Sequence, residues 1–245
     1  MSLKKKISVQ AIVGSLLVSL MTILLLGILL QIEPVAQTLG SELLKVNDEA
    51  TKSANAVTSV VTYFRGLDTL GEVTILFLSV FGISLGMEKF NEKQNILSYE
   101  NSLLEIGVKV LFPLIVLFGI YIIIHGHLSP GGGFQGGVII ASGFLLLFLA
   151  HGNEFSLNHR VITLFESLSG AGLVLFGFLG VWTTGLFFGN FLPLGSLGKL
   201  FSAGVIPLIY IFVGLKVSAE ISALAEYFIK AKDAKVQDME VKNDG

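Results

Sequence analysis

Carboxylates, lysines and histidines stand inside or at the ends of long apolar runs of this chain, at Asp68, Glu72, Lys109, His125, His127, Glu166, Lys216 and Glu220. A charge at the centre of a helix in hydrocarbon costs about 2.5–3.5 kcal/mol, so such residues mark ion or proton paths by default. Asp68 and Glu72 are four apart and share a helical face, with Ser79 two turns further along the same stripe. Glu72 falls a turn or two inside the apolar slab, as a protonatable or cation-binding carboxylate. Asp68 falls at the water boundary, as a path residue or a helix cap. Lys216 and Glu220 have the i,i+4 spacing of an ion pair, in the weaker order, and serve either charge transfer or mutual neutralisation. Lys109 either snorkels to the surface on its long stem or faces the bundle and pairs with Glu72 or Glu220. Glu166 lies one turn into its span, near the interface.

Two of the histidines open the densest motif, His125-Gly-His-Leu-Ser-Pro-Gly-Gly-Gly-Phe-Gln-Gly-Gly137. Imidazole titrates near neutral pH, so His125 and His127 suit a proton relay or a hydrated interface. Gly131 to Gly133 can take positive φ without a Cβ clash, and successive free amides there could cradle an anion or a carbonyl. The plainer reading of the same glycines is a sharp connector between two spans. His151 and His159 have no partner at metal-ligand spacing on a helix, so no metal site is expected. No Walker-type glycine loop is present, and an independent enzyme is not expected.

Composition says what must hold these residues. Charged residues are 14% of the chain and hydrophobic ones 53%, with a mean hydropathy of +0.80. A soluble domain carries about 25% charge, so an all-α, polytopic membrane bundle is expected. The net charge of −2 gives no case for a nucleic-acid partner. The absence of cysteine excludes thiolate-held iron–sulfur clusters, disulfides and thiol nucleophiles within this chain.

About six spans follow: Val9–Leu30, Leu67–Met87, Gly107–Ile124, Val138–Ala150, Ile162–Leu186 and Ser202–Phe228. The first, roughly 33 Å as a helix, is too long for a signal-peptide core and reads as a retained anchor. Gln31 to Thr62 is polar with a weak helical period, and reads as a solvated connector. Glu88 to Glu105 is a charged connector, Phe187 to Leu200 a connector or re-entrant piece, and the tail from Lys230 a frayed end. Pro113 and Pro207 interrupt the third and sixth spans. Gly170, Gly172, Gly177 and Gly180 let the fifth span approach a neighbour closely. With Lys4 to Lys6, Lys89, Lys93, Arg160 and the tail lysines on the inner side, against Lys45, Lys52, Arg65 and Lys199, both termini are expected in the cytoplasm.

The glycine motif also resembles the signature of the B-type (MnhB/MrpB) component of the multisubunit Mrp (Mnh) sodium/proton antiporters, a module that recurs in membrane-bound hydrogenases. Pro130, Gly131, Gly132, Gly133, Phe134, Gly136 and Gly137 carry that match. Arg65-Gly-Leu-Asp-Thr-Leu-Gly-Glu72 is similar to a two-span module near the C-terminus of the large A-type antiporter component, through Asp68, Gly71 and Glu72. The resemblance implies a fusion: a two-span module over 1–100, a B-like four-span module over 101–230, and a polar cytoplasmic tail over 231–245. It further implies a non-catalytic member of a prokaryotic plasma-membrane complex, working beside large proton-pumping subunits and small ones, and in one arrangement beside hydrogenase-like redox subunits. The transported ions would be sodium and protons, with no cofactor in this chain. Hard sodium prefers oxygen ligands, which Asp68, Glu72, serines and hairpin carbonyls could provide.

Overall fold

The computed structural model describes residues 38–87, 102–152 and 155–243, with isolated helical positions between 15 and 30. The described regular elements are all helices. They are α1 (Thr38–Ala50), α2 (Ala56–Ser59, running on as a π-helical turn over Val60–Phe64), α3 (Gly66–Met87), α4 (Ser102–Ile124), α5 (Gly133–His151), α6 (His159–Thr184) and α7 (Ile206–Asn243). Five stretches are long and apolar enough to cross a membrane: Gly66–Leu85, Leu104–Ile124, Gly133–His151, His159–Thr184 and Ile206–Ile229. The expected first span lies largely outside the described residues, as does most of the charged connector after Met87. The chain divides into two compact units, Met1–Leu44 and Lys45–Gly245, and the second contains all five of these spans.

Local chemistry sets the helix ends. Asp68 sits in the first turn of α3, where a carboxylate complements the helix dipole. Asn158 caps α6 by accepting a hydrogen bond from Arg160 N, and Gly185, at φ 76°, closes it in the left-handed conformation. Pro207 falls in the first turn of α7, where its missing N–H has no helical partner to lose, so it starts the last span instead of interrupting it. That helix continues to Asn243, where the sequence suggests a frayed tail.

The hub of the larger unit is α7, which packs against α5, α6, α3 and α4. Of its most apolar 18-residue window, 56% is buried, against 17% for α4 and for α6. A buried apolar cluster joins Val73 of α3, Leu173 of α6, Phe188, and Val205, Ile209, Val213 and Val217 along α7.

The segment read as a solvated connector closes one end of the bundle. Thr51, Ser53, Thr58, Ser59 and Thr62 are all buried. Three residues of the segment bond to the loop after α4: Ser53 Oγ donates to His127 O (2.9 Å), Thr58 Oγ1 to Gly126 O (2.6 Å), and Asn55 Nδ2 to Gly126 O (3.0 Å) and Ser129 O (2.9 Å). Asn190, in the loop before α7, donates to Ala50 O (3.1 Å) and accepts from Val205 N (3.1 Å). Three loops far apart in sequence thus satisfy one another's backbone, which a buried loop requires.

Candidate functional site

The site is built on α7, whose residues divide among three faces at about 100° per residue. Tyr210, Val213, Gly214 and Val217 form the first, against α4 and α5: a Cβ added to Gly133 would lie 2.7 Å from Tyr210 O, and one added to Gly137 would lie 2.9 Å from Gly214 O. Leu215, Ser218, Ala219 and Ser222 form the second, the floor of an apolar groove. Lys216 and Glu220 lie on the third, along with Ala223 and Tyr227, turned toward α3 and α6.

Lys216 Nζ lies 2.7 Å from Glu220 Oε1, and both side chains are nearly or wholly inaccessible. The contact is one of charge more than of an aligned hydrogen bond, since neither Glu220 oxygen has a donor in hydrogen-bond geometry. The ammonium also sits 4.8 Å from the centre of the Phe77 ring, over its negative face. Gly170 of α6 lies beside this lysine, and a Cβ there would meet Nζ at 3.5 Å, an ordinary contact.

Lys216 also borders a cavity of about 570 Å³ between α3, α6 and α7, lined by Glu166, Thr163, Ser167, Ser84 and Tyr227 together with Phe77. Glu220 does not line this cavity, so Lys216 stands between a buried carboxylate and a chamber of mixed lining, with Val80, Phe81 and Ala223 on its apolar walls. Toward the loop end the chamber is closed by the cluster of Val73, Leu173, Phe188, Ile209 and Val213. From Lys216 back to Ile206 is about 15 Å along the helix at 1.5 Å per residue.

The structure therefore brings together three of the residues marked in the sequence and separates the others. Lys216, Glu220 and Glu166 converge. Glu72 is exposed on α3, whose inward side carries Thr69, Val73 and Val80. Asp68, beside it, pairs with the exposed Arg65. Lys109 is likewise exposed on α4, next to the buried Val108. Among the described residues no ion pair joins Lys109 to Glu72 or Glu220.

The glycine motif has two halves. Gly131 (φ 154°) and Gly132 (φ 144°) make the turn, where a side chain would be strained. Gly133, Gly136 and Gly137 already belong to α5 and serve close packing; a Cβ on Gly136 would lie 2.6 Å from Gly119 O. Beside the turn stands the Tyr210 ring, whose atoms would meet a Cβ on Gly132 at 3.0 Å, so little room for an anion is left there. Its carbonyls are engaged too, with Gly126, His127 and Ser129 all accepting from residues 53–58. Pro130 is exposed, and Phe134 packs on the apolar cluster. His125 is half-buried, stacks on Tyr121 at 4.1 Å and contacts Tyr121 O through Nδ1 at 3.0 Å. His127 is fully buried, with no aligned partner for either ring nitrogen. Loss of hydration holds its pKa below the ordinary 6.5, against the nearby backbone of Lys199 and Leu200, which favours the cation.

Two residues of consequence escaped the sequence reading. Asn55 caps α2 and pins the hairpin, but a lone asparagine in a polar stretch gives no sign of a partner some 70 residues away. Glu226 is buried and accepts from Leu157 N at 3.4 Å; its place one turn before the charged tail makes it look like part of that tail.

Comparison with known proteins agrees with this architecture. A family model described as a domain related to the MnhB subunit of the Na+/H+ antiporter matches residues 103–223. A chain of the membrane-bound sulfane sulfur reductase, described as an archaeal respiratory membrane complex, superposes with a TM-score of 0.73 at 36% identity, over 91% of this chain and 99% of that one. A chain of the Mrp complex from a Dietzia species shares the fold, with a TM-score of 0.70 at 22% identity, over 91% of this chain and 26% of that longer one. The B-type component of the Bacillus subtilis Na+/H+ antiporter is 37% identical over 79 residues, 32% of this chain, which spans about half (54%) of that relative. With this sequence match, this full-length superposition and five membrane-competent helices, the chain belongs to the MnhB-related family of multi-pass membrane subunits.

Proposed function

We propose that this chain is a membrane subunit of a multisubunit sodium/proton antiporter module, and that Lys216, Glu220 and Glu166 form its part of the ion path. The observation that carries this reading is the buried Lys216–Glu220 pair of the MnhB-related region, bordering a cavity shared with α3 that Glu166 and three hydroxyl-bearing residues help to line. A purely structural bundle has no need of a chamber lined by hydroxyls and a carboxylate beside its buried ion pair. Glu166 and the hydroxyls of Ser84, Thr163 and Ser167 are oxygen donors of the kind a hard cation takes. Protons are handed to or from large partner subunits, and sodium is the coupled cation. The chain itself performs no covalent chemistry.

Glu72 enters as the contribution of the N-terminal module, on a face left open for a neighbouring subunit. The test is sodium uptake into inverted vesicles carrying the assembled complex. Glu220→Gln and Glu72→Gln should each reduce it with assembly preserved. Normal uptake in Glu220→Gln would overturn the path, and loss of assembly in both would favour a structural adaptor.

A second host is supported by one observation, the match to a respiratory-complex subunit over 99% of its length. In that case the same module is driven by electron transfer on other subunits. The two hosts separate by energy source: sodium uptake driven by an imposed proton gradient alone marks a stand-alone antiporter, and uptake only with an electron donor marks the redox-driven complex.

A further inference from the structure

His127 is wholly inaccessible, unlike His125, His151 and His159, and the ion path has no use for it. Its main chain is clamped from one side, where His127 O accepts from Ser53 Oγ (2.9 Å) and from Asn55 N (3.1 Å). Its ring is covered from another, by the backbone of Lys199 and Leu200 in the loop before α7. The side chains of Lys199, Leu200 and Phe201 are exposed, so the loop lies on the imidazole with its main chain.

Neutral imidazole carries one donor and one acceptor, and imidazolium carries two donors. Neither ring nitrogen has an aligned partner, so the closed loop satisfies neither form and penalises the charged one more. Among the described residues no carboxylate pairs with His127 to offset that charge. The titratable or charged groups around it are His125 in its own turn, Tyr210 of α7 against Gly126 and Gly132, and the exposed Lys199 of the loop. On the clamping side they are Lys52, the exposed Asp48 and Glu49 of α1, and Arg65 and Asp68, which pair with each other. Of these, His125 is the charge felt at the ring, and it too disfavours a second proton.

The covering loop is lightly held. Asn190 anchors its start, through Ala50 O and Val205 N. Beyond that anchor the described hydrogen bonds stay within the loop, from Lys199 N to Ser196 O (3.2 Å) and from Ala203 N to Leu194 O (2.9 Å). The closed form also holds Ala203 in the left-handed region, at φ 65°, which a side chain resists. Residues 195–201 are exposed, whereas Ser202 beside them is buried with its hydroxyl unpartnered. A segment with few outside bonds and local strain opens before the rest of a fold.

We propose that His127 is a proton-operated latch for this loop: uncharged, it lets residues 195–202 lie closed over the α4–α5 turn, and its protonation releases them, wetting that end of the bundle in acid. Covered, the imidazole binds its second proton less readily than the ordinary 6.5 implies, and hydrated it returns to that value, so release grows as pH falls below about 6.5. One proton is taken up, which limits the growth to about tenfold per pH unit. The latch does not rest on the ion path, since Lys216 lies some three turns along α7 from the loop.

Ser202→Cys reports the opening, because the chain has no other cysteine and the Ser202 hydroxyl has no bond to lose. Its alkylation rate in the assembled complex is divided by that of Ser196→Cys, in the exposed part of the same loop, which cancels the pH dependence of the reagent. Between about pH 7.5 and about pH 5 the ratio should rise several-fold, nowhere more steeply than about tenfold per unit. His127→Gln should hold the ratio low and flat, and His125→Gln should leave the rise in place. Hydrogen exchange on the unmodified chain, corrected for intrinsic rates, should show acid opening residues 196–202 with the amides of α5 unchanged. A flat ratio without the histidine substitutions, a rise that survives His127→Gln or disappears in His125→Gln, or a loop already open at neutral pH in His127→Gln would each overturn the latch. So would opening of α5 in parallel with the loop.

Discussion

The Lys216–Glu220 pair makes a quantitative prediction, because its members have unequal alternatives. Lys216→Met leaves a wholly buried carboxylate with no donor in reach. Breaking a buried pair in this way costs about 3–5 kcal/mol. The penalty is limited by protonation, since an ordinary carboxyl takes up a proton at pH 7 for about 4 kcal/mol and at pH 5 for about 1 kcal/mol. Glu220→Gln instead leaves a lysine that already borders the polar cavity and can turn to water or to Glu166 within it. Its cost should stay near 1 kcal/mol, that of a lost partner with solvation kept. Thermal unfolding of the purified complex, followed by size-exclusion fluorescence, measures both. At roughly 2–4 °C per kcal/mol for a chain of this size, Lys216→Met should lower Tm by about 10 °C at pH 7 and by only a few degrees at pH 5. Glu220→Gln should move it by a few degrees at either pH, and the double variant Lys216→Met/Glu220→Gln should recover most of the loss. Equal costs for the two single variants, or a Lys216→Met penalty that does not shrink on acidification, would refute the reading of the lysine as the wet member of the pair.

Other perturbations follow from the same geometry. Gly137→Ala should destabilise the chain by about 1–3 kcal/mol, because its Cβ would meet Val217 at 2.8 Å and the Gly214 carbonyl at 2.9 Å. Gly71→Ala meets nothing within 4 Å and should stabilise the isolated chain slightly; a defect confined to the assembled complex would show a partner packed at that point. Asn55→Ala removes two donors to the hairpin and a helix cap, a loss of roughly 2–4 kcal/mol that faster hydrogen exchange at residues 126–129 would report. His127 binds protons less readily folded than unfolded, so its contribution to stability is lost as pH falls from the unfolded value of about 6.5 through the lowered folded one. His127→Gln should flatten that acid limb, as seen by Tm against pH.

The spans were legible because apolar runs of span length have few other uses, and the Lys216–Glu220 pair because i,i+4 spacing puts two side chains together whatever surrounds the helix. Which way a charge faces was not legible. α3 and α4 are apolar all the way round, so the pattern around Glu72 and Lys109 marks no inward side, and the structure turns both away from the chain's own core. The polar stretch around Thr51 to Thr62 has the composition of a solvated loop. Its burial depends on carbonyls of the 126–129 turn, a partner no local pattern announces. The glycine motif was half legible: Gly131 and Gly132 form the turn, but Gly133, Gly136 and Gly137 are helical, and only the closeness of α4 and α7 explains them. Pro207 looked like a break because the start of its helix could not be placed to the residue.

The three faces of α7 say where this bundle has freedom. On the α4–α5 side, Gly133, Gly136 and Gly137 bring backbones so close that a single added methyl would strike a carbonyl, and packing of that density has no slack. α6 is different, with a cavity of about 570 Å³ on one flank and one of about 450 Å³ on the other. Glu166 and Gly170, which face Lys216, both ride on α6. A small displacement of α6 therefore changes the space around the Lys216 ammonium and its separation from Glu166 without disturbing the glycine-packed slab. The rigid half of the molecule fixes where Glu220 is, and the loosely packed half sets what Lys216 can reach. That division is what an ion pair needs if it is to exchange partners while the fold around it stays intact.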